Sequence, residues 1–331
     1  MTARALPVVP RRERTANAAA LIACAAAVAV LAACSLAVGV GRLSLSDPAA
    51  SWDLISQSRL PRTVALILAG AAMAICGVVM QMLTRNRFVE PSTAGTTESA
   101  AFGLLIATLV APGLPIWAKM LFGTAAAVAG TALFISILRA VPMRNVLIVP
   151  LIGLMLGGII SSVTTFIAYQ GNLSQGLGAW MSADLSGVVK GRYEMLWLLA
   201  LVVIAVWIMA DRFTVAGLGE DFTTNLGLNH RRVMTIGLSL VALATSVVVI
   251  TVGAIPFLGL IVPNIVALFI GDNIRRAIPW VAFLGSGIVL ACDIVGRLVR
   301  YPYEVPLGVV MGIAGSLIFL ILLLKRSTPV D

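Results

Sequence analysis

Residues 59–86 read RLPRTVALILAGAAMAICGVVMQMLTRN. Between Arg62 and Arg85 lie 22 residues without a charge. As a helix they span about 33 Å at 1.5 Å per residue, enough to cross the roughly 30 Å hydrocarbon core of a bilayer. Tracts of the same kind recur at 18–40, 120–138, 146–168, 194–210, 233–252 and 307–324, and less uniform ones end near 110, 271 and 296. With 60% hydrophobic and 11% charged residues in a chain of 331, a soluble core is excluded. The pattern predicts an all-α, polytopic membrane protein of about ten transmembrane helices, forming one domain over 1–331. Its function is movement of something across a membrane, or signalling through it.

The net charge of +9 does not indicate nucleic acid, because no basic stripe with interleaved aromatics occurs. The basic residues instead flank the apolar tracts, as the positive-inside rule expects. With the N-terminus inside and alternating spans, the inner segments hold 15 of the 23 Lys and Arg, and the outer ones hold 8. This balance predicts both termini in the cytoplasm and an even number of spans. Residues 1–17 read as a cytosolic tail and 211–232 as the longest inner connector. Residues 41–60 and 170–192 read as external connectors, with the second span starting at Pro61, since proline suits the first helical turn. The polar stretch 88–99 must be packed in protein or line a wet passage. Pro256 and Pro263 predict an irregular eighth span. Cys24, Cys34, Cys76 and Cys292 contain no CxxC pair and read as buried small residues.

Four features bear on mechanism. Arg59 and Arg62 sit at the outer start of a helix, where the dipole disfavours cations. They either anchor the span or receive an anionic partner. Asp293 and Arg297 are spaced i,i+4 and can pair. The pair either neutralises a charge near lipid or turns Arg297 outward. Leu218, Phe222 and Leu226 give the inner connector one apolar face, flanked by Gly219, Glu220 and Gly227; the face either docks a soluble partner or rests on headgroups. Gly153 and Gly157, and Gly308 and Gly312, form GxxxG pairs that permit close helix packing. A GxxxxGK[ST] phosphate loop is missing from the sequence, so no ATP site of that type is expected here.

In order along the chain come RLPRT (59–63), QMLTRN (81–86), VEP (89–91), LGE (218–220), LG (226–227), GAIPFLGLIVP (253–263), Asp293, Arg297 and EVPLG (304–308). Together these resemble the permease subunits of bacterial ABC importers for iron–siderophore, haem and vitamin B12. The resemblance implies a vitamin B12 importer permease-like fold that pairs with a second permease, identical or homologous, in the cell membrane. Two ATP-binding subunits would bind inside, carrying ATP and Mg, with no cofactor and no catalytic residue on this chain. An extracytoplasmic binding protein would deliver the ligand. Arg59, Arg62 and Arg297 are then expected to pair with its glutamates. Leu218, Gly219, Glu220, Phe222, Leu226 and Gly227 would form the ATPase coupling segment. Asn86 and Phe88 would constrict the inner end of the pathway. Spans five and ten would line the pathway and the permease pair, giving their glycine pairs a role there. Arg87 departs from the family's usual proline and Asn264 from its frequent histidine. Asn264, the 90–98 segment and the 172–194 segment are most similar to the catecholate-type siderophore branch. The competing readings are haem or vitamin B12 as ligand, a proton-coupled carrier using Glu98 or Asp293 as relay, and a membrane scaffold or sensor.

Overall fold

A computed structural model describes residues 11–39, 48–141, 148–191, 193–271 and 273–327. Among them run α1 (Arg11–Ala37), α2 (Pro48–Leu54), α3 (Leu60–Leu83), α4 (Thr96–Val110), α5 (Ile116–Ala140), α6 (Ile148–Gln170) and α7 (Ser174–Ser182). They continue as α8 (Trp197–Ala216), α9 (Glu220–Asn225), α10 (His230–Thr251), α11 (Leu258–Ile270), α12 (Ile274–Val299) and α13 (Leu307–Ser327). Eight helical stretches are long and apolar enough to span a membrane, and α4 and α11 are shorter apolar helices. The ten expected hydrophobic helices are therefore present. In hydrocarbon every backbone amide must be paired within the segment, so a helix is the only open-chain solution.

The bundle is built around α3. In its apolar window 78% of residues are buried, against 6% in α1, so α3 is the axis and α1 lies at the periphery. α3 packs against α8, α10, α11 and α12. Its small residues allow this. A Cβ on Gly70 would strike the backbone of Gly285 and Ser286 in α12, and one on Gly77 would overlap Gly259 in α11. Without a hydrophobic driving force between spans, such backbone-close contacts supply the dispersion energy that holds helices together. A second layer has α4 between α5, α6 and α10.

One connector differs from expectation. The second span does not begin at Pro61. Helix α2 runs through a π-turn, Ile55–Arg59, straight into α3, and the Leu60 amide donates to the Ile55 carbonyl. The carbonyl four residues before Pro61, Gln57 O, accepts instead from the Lys190 amide at 3.0 Å, so the proline sits inside a continuous helical run. Residues 40–47 of that connector lie outside the described residues. The segment read as the second external connector holds α7 and then a 3₁₀ turn at Leu185–Gly187. In the tail, residues 11–17 already belong to α1, and 1–10 lie outside the described residues. Of the four cysteines only Cys76 and Cys292 are buried; Cys34 is exposed on α1.

Candidate functional site

α1 stops with no basic residue in its last turn, so its terminal carbonyls need donors from elsewhere. Arg59 supplies one set: its Nη1 donates to the Leu36 and Ala37 carbonyls at 2.7 and 2.9 Å. Arg297 supplies the other: its Nη1 donates to the Ser35 and Val38 carbonyls at 3.0 and 2.7 Å, and its Nη2 to Ser35 Oγ at 2.6 Å. Both side chains are buried. Asp293 binds both neighbours, accepting from Arg62 Nη2 at 2.7 Å and pairing with Arg297, while Arg62 Nη1 reaches Glu304 at 2.7 Å. Two carboxylates and two arginines alternate, which offsets the desolvation of each.

This geometry corrects one expectation. Asp293 does not turn Arg297 outward. It holds the guanidinium against the end of α1, as it holds Arg62 against α12. In this conformation Arg59 and Arg297 are spent on α1, and Arg62 retains slight exposure.

The polar stretch after α3 is packed inside, as expected. The α3 terminus closes with Asn86 N donating to Gln81 O and Arg85 N to Met82 O, the paired bonds of a Schellman cap. Arg85 takes the left-handed position, φ 50°. Asn86 is buried, and its Oδ1 accepts from the Phe88 amide at 2.8 Å. The Phe88 ring meets Phe319 of α13 edge-on at 5.9 Å between centroids. The expected gate residues are thus one unit, spanning the loop after α3 and the last helix.

Helix α11 is the irregular span anticipated from its prolines. Pro263 cannot donate to the Gly259 carbonyl, and Gln81 Nε2 of α3 donates to it instead, at 3.2 Å. At the start of α11 the buried Glu90 carboxylate accepts from the Phe257 amide at 2.9 Å, an anion at the positive end of a helix. Asn264 Nδ2 donates to the Arg87 carbonyl at 2.9 Å, tying α11 to the gate loop. Gln81 and Glu90 were visible in the motifs, but the tasks they perform here were not assigned to them. The missing donor at Pro263 was the available signal.

The connector after α8 folds into a short helix, α9. Gly219 (φ 114°) and Gly227 (φ 77°) take positive-φ conformations that favour glycine and bracket α9. Thr223 turns inward and donates to the Gly219 carbonyl at 2.6 Å. Leu218, Phe222 and Leu226 are 55%, 63% and 62% exposed, an apolar face left uncovered by the described residues. Glu220 opens the helix on its exposed side. His230 begins α10 with its ring nitrogen 3.3 Å from Thr223 Oγ1.

The glycine pairs divide. A Cβ on Gly153 would overlap the Thr93 carbonyl, and one on Gly157 would approach Glu98 and Gly95. That pair seats α6 on its own chain's polar stretch. Gly308 lies against the Ser182 and Ala254 carbonyls, whereas Gly312 faces open space.

Ten apolar helices around a buried axis, a sealed polar loop at one end and an arginine–carboxylate cluster at the other define a polytopic transport permease. The chain belongs to the FecCD transport family, which matches residues 17–325. It is 47% identical over 305 residues to the petrobactin import system permease protein YclN of Bacillus subtilis, covering 90% of this chain and 96% of that one. It is 43% identical to the petrobactin permease FatD of Bacillus anthracis (82% and 81% covered) and 41% identical to the ferric-anguibactin permease FatD of Vibrio anguillarum (84% and 88% covered). Its fold matches a solved metal-chelate type ABC transporter in an inward-facing conformation, with TM-score 0.78 at 23% identity over 92% of this chain and 98% of that one.

Proposed function

We propose that this chain is the permease subunit of an ATP-driven importer of ferric siderophore, working in the cell membrane with both termini in the cytoplasm. The observation that carries the reading is its 41–47% identity, over more than four-fifths of its length, to three permeases named for petrobactin or anguibactin transport. Permeases named for vitamin B12 import are more distant, at 33–34%. Partners follow from the same relationship: a second permease, two ATP-binding subunits holding ATP and Mg, and an extracytoplasmic binding protein. This chain supplies no chemistry of its own; it switches access.

The exposed Leu218–Phe222–Leu226 face is the surface offered to the ATP-binding subunit. Asn86 and Phe88, buttressed by Phe319, close the inner end. Docking of the binding protein on Arg59, Arg62 and Arg297 requires its glutamates to replace the present acceptors, and Arg62, beside the half-exposed Glu304, is the accessible starting point. Proteoliposomes holding both permeases and the ATP-binding subunits, given binding protein loaded with a radioiron catecholate chelate, should accumulate iron only with ATP. Equal uptake of haem or vitamin B12 would overturn the substrate assignment.

One observation favours a second reading. Glu98 Oε2 is buried without a hydrogen-bond partner among the described residues, the environment of a proton relay. Uptake that persists without the ATP-binding subunits and collapses on dissipating the proton gradient would establish that carrier mechanism instead.

A further inference from the structure

A cavity of about 370 Å³ opens among the end of α4, the start of α5, the end of α10 and the segment after α7. Its walls are largely apolar, with Leu104, Ile116 and Val249 in the lining. Among the described residues two charged groups stand in it, Lys119 of α5 and Asp184 after α7, and neither forms an ion pair. Lys119 Nζ donates one of its three protons to the Pro112 carbonyl at 3.0 Å. Asp184 Oδ1 accepts from the Ser186 amide at 2.9 Å, which leaves Oδ2 without a hydrogen bond among the described residues.

One wall is fixed before anything binds. Gly253 (φ 99°) brings the end of α10 so close to Ala183 that a Cβ would overlap its backbone. The next amide, of Ala254, donates to the Trp180 carbonyl at 2.9 Å. The level of the cavity is marked by Trp117, exposed and two residues from Lys119, and by Trp180 in the lining. A tryptophan near a cation is the signature of the membrane–water interface, where lysine lays its stem on apolar surface and lifts its head to water.

We propose that this cavity binds a zwitterionic phospholipid with a primary ammonium headgroup, of the phosphatidylethanolamine type. Its phosphate sits on Lys119, its ammonium on Asp184, and its glycerol and first acyl methylenes on the apolar walls. One cation and one anion in one cavity complement a ligand that bears both, whereas a purely anionic headgroup would meet Asp184. A primary ammonium can donate to Oδ2, which trimethylated choline cannot. The volume is about twelve times the roughly 30 Å³ of one water, enough for headgroup and glycerol, and the surplus wall is apolar. The basic-residue balance assigns this end of the bundle to the exterior, so the lipid would come from the outer leaflet; the site itself does not rest on that orientation. The occupant would brace the start of α5 against the turn after α7.

The test is native mass spectrometry of the full chain in a neutral detergent, titrated with phosphatidylethanolamine, phosphatidylcholine or phosphatidylglycerol, with millimolar phosphoethanolamine as competitor. The wild-type chain should hold phosphatidylethanolamine about tenfold more tightly than either other lipid, and phosphoethanolamine should not displace it. D184N keeps an acceptor for the Ser186 amide and should melt as wild type does. It should nevertheless lose about tenfold in phosphatidylethanolamine affinity, the weight of one charge-assisted hydrogen bond, with phosphatidylcholine unchanged. K119M should cost about fivefold with all three lipids, since all carry the phosphate. Equal binding of phosphatidylethanolamine and phosphatidylcholine by the wild type would overturn the proposal. So would a D184N loss shared equally by the three lipids, as a structural defect would give, or affinities unchanged in K119M. Displacement by phosphoethanolamine would overturn the lipid assignment.

Discussion

Replacing Arg297 by methionine separates two roles for the outer arginines. The side chain is 4% exposed and makes three hydrogen bonds to the end of α1. Methionine keeps the stem's packing and removes the charge. It leaves the Ser35 and Val38 carbonyls without this donor, at about 1–3 kcal/mol each. Asp293 keeps Arg62, so the acid is not stranded. The expected loss is about 3–5 kcal/mol. At roughly 2 °C per kcal/mol for a chain of this size, the melting temperature of the purified full chain should fall about 6–10 °C. A double-mutant cycle with S35A isolates the Nη2–Oγ bond and should give a coupling of about 1.5 kcal/mol, typical of a hydrogen bond to a charged group. Capture of the binding protein on immobilised permease is measured in parallel. A melting temperature within 2 °C of wild type (below about 1 kcal/mol), or zero coupling to Ser35, would refute the helix-end role. Lost capture at unchanged stability would assign Arg297 to docking alone.

Substituting Gly77→Val forces a side chain into Gly259 and should cost at least about 3 kcal/mol, visible as loss of monodisperse protein. The control Gly113→Val, with open space around it, should be neutral. Gln81→Leu strands the Gly259 carbonyl and should cost about 1–3 kcal/mol in thermal unfolding. Adding Pro263→Ala, which restores an amide to that carbonyl, should recover most of the loss; no recovery would show that Gln81 acts otherwise. Phe222→Asp with Leu226→Asp changes only exposed residues and should leave stability within about 0.5 kcal/mol. Retention of the ATP-binding subunit should fall at least tenfold, and retained, transport-coupled ATP hydrolysis would rule out the coupling face.

The spans were legible because twenty apolar residues in a row admit one structure in lipid, and α9 because Leu218, Phe222 and Leu226 keep a four-residue rhythm, with a glycine after the first and after the last. The start of the second span was not. Pro61 obeys the rule for a first helical turn, and nothing in ISQSR announces that a wide turn would carry α2 past it. Nor was the destination of Arg59 and Arg297. The resemblance gave them to a binding protein's glutamates, but which groups they satisfy within the chain depends on where α1 ends in space. The clue lay in α1 itself, whose last turn lacks any cation. Gly153 and Gly157 were read as a packing surface, but local spacing does not say what packs on it; the neighbour here is the chain's own Thr93–Glu98 segment.

The bond from Gln81 to Gly259 has an evolutionary corollary. Positions 81 and 263 lie 182 residues apart in the chain, yet a proline at one creates the need that an amide at the other meets. Natural selection should treat them as a linked pair: lineages that lose the proline are released to vary the glutamine, and those that keep it are not. Correlated change at these two columns in descendants of a common ancestor would be the fossil record of one unsatisfied carbonyl.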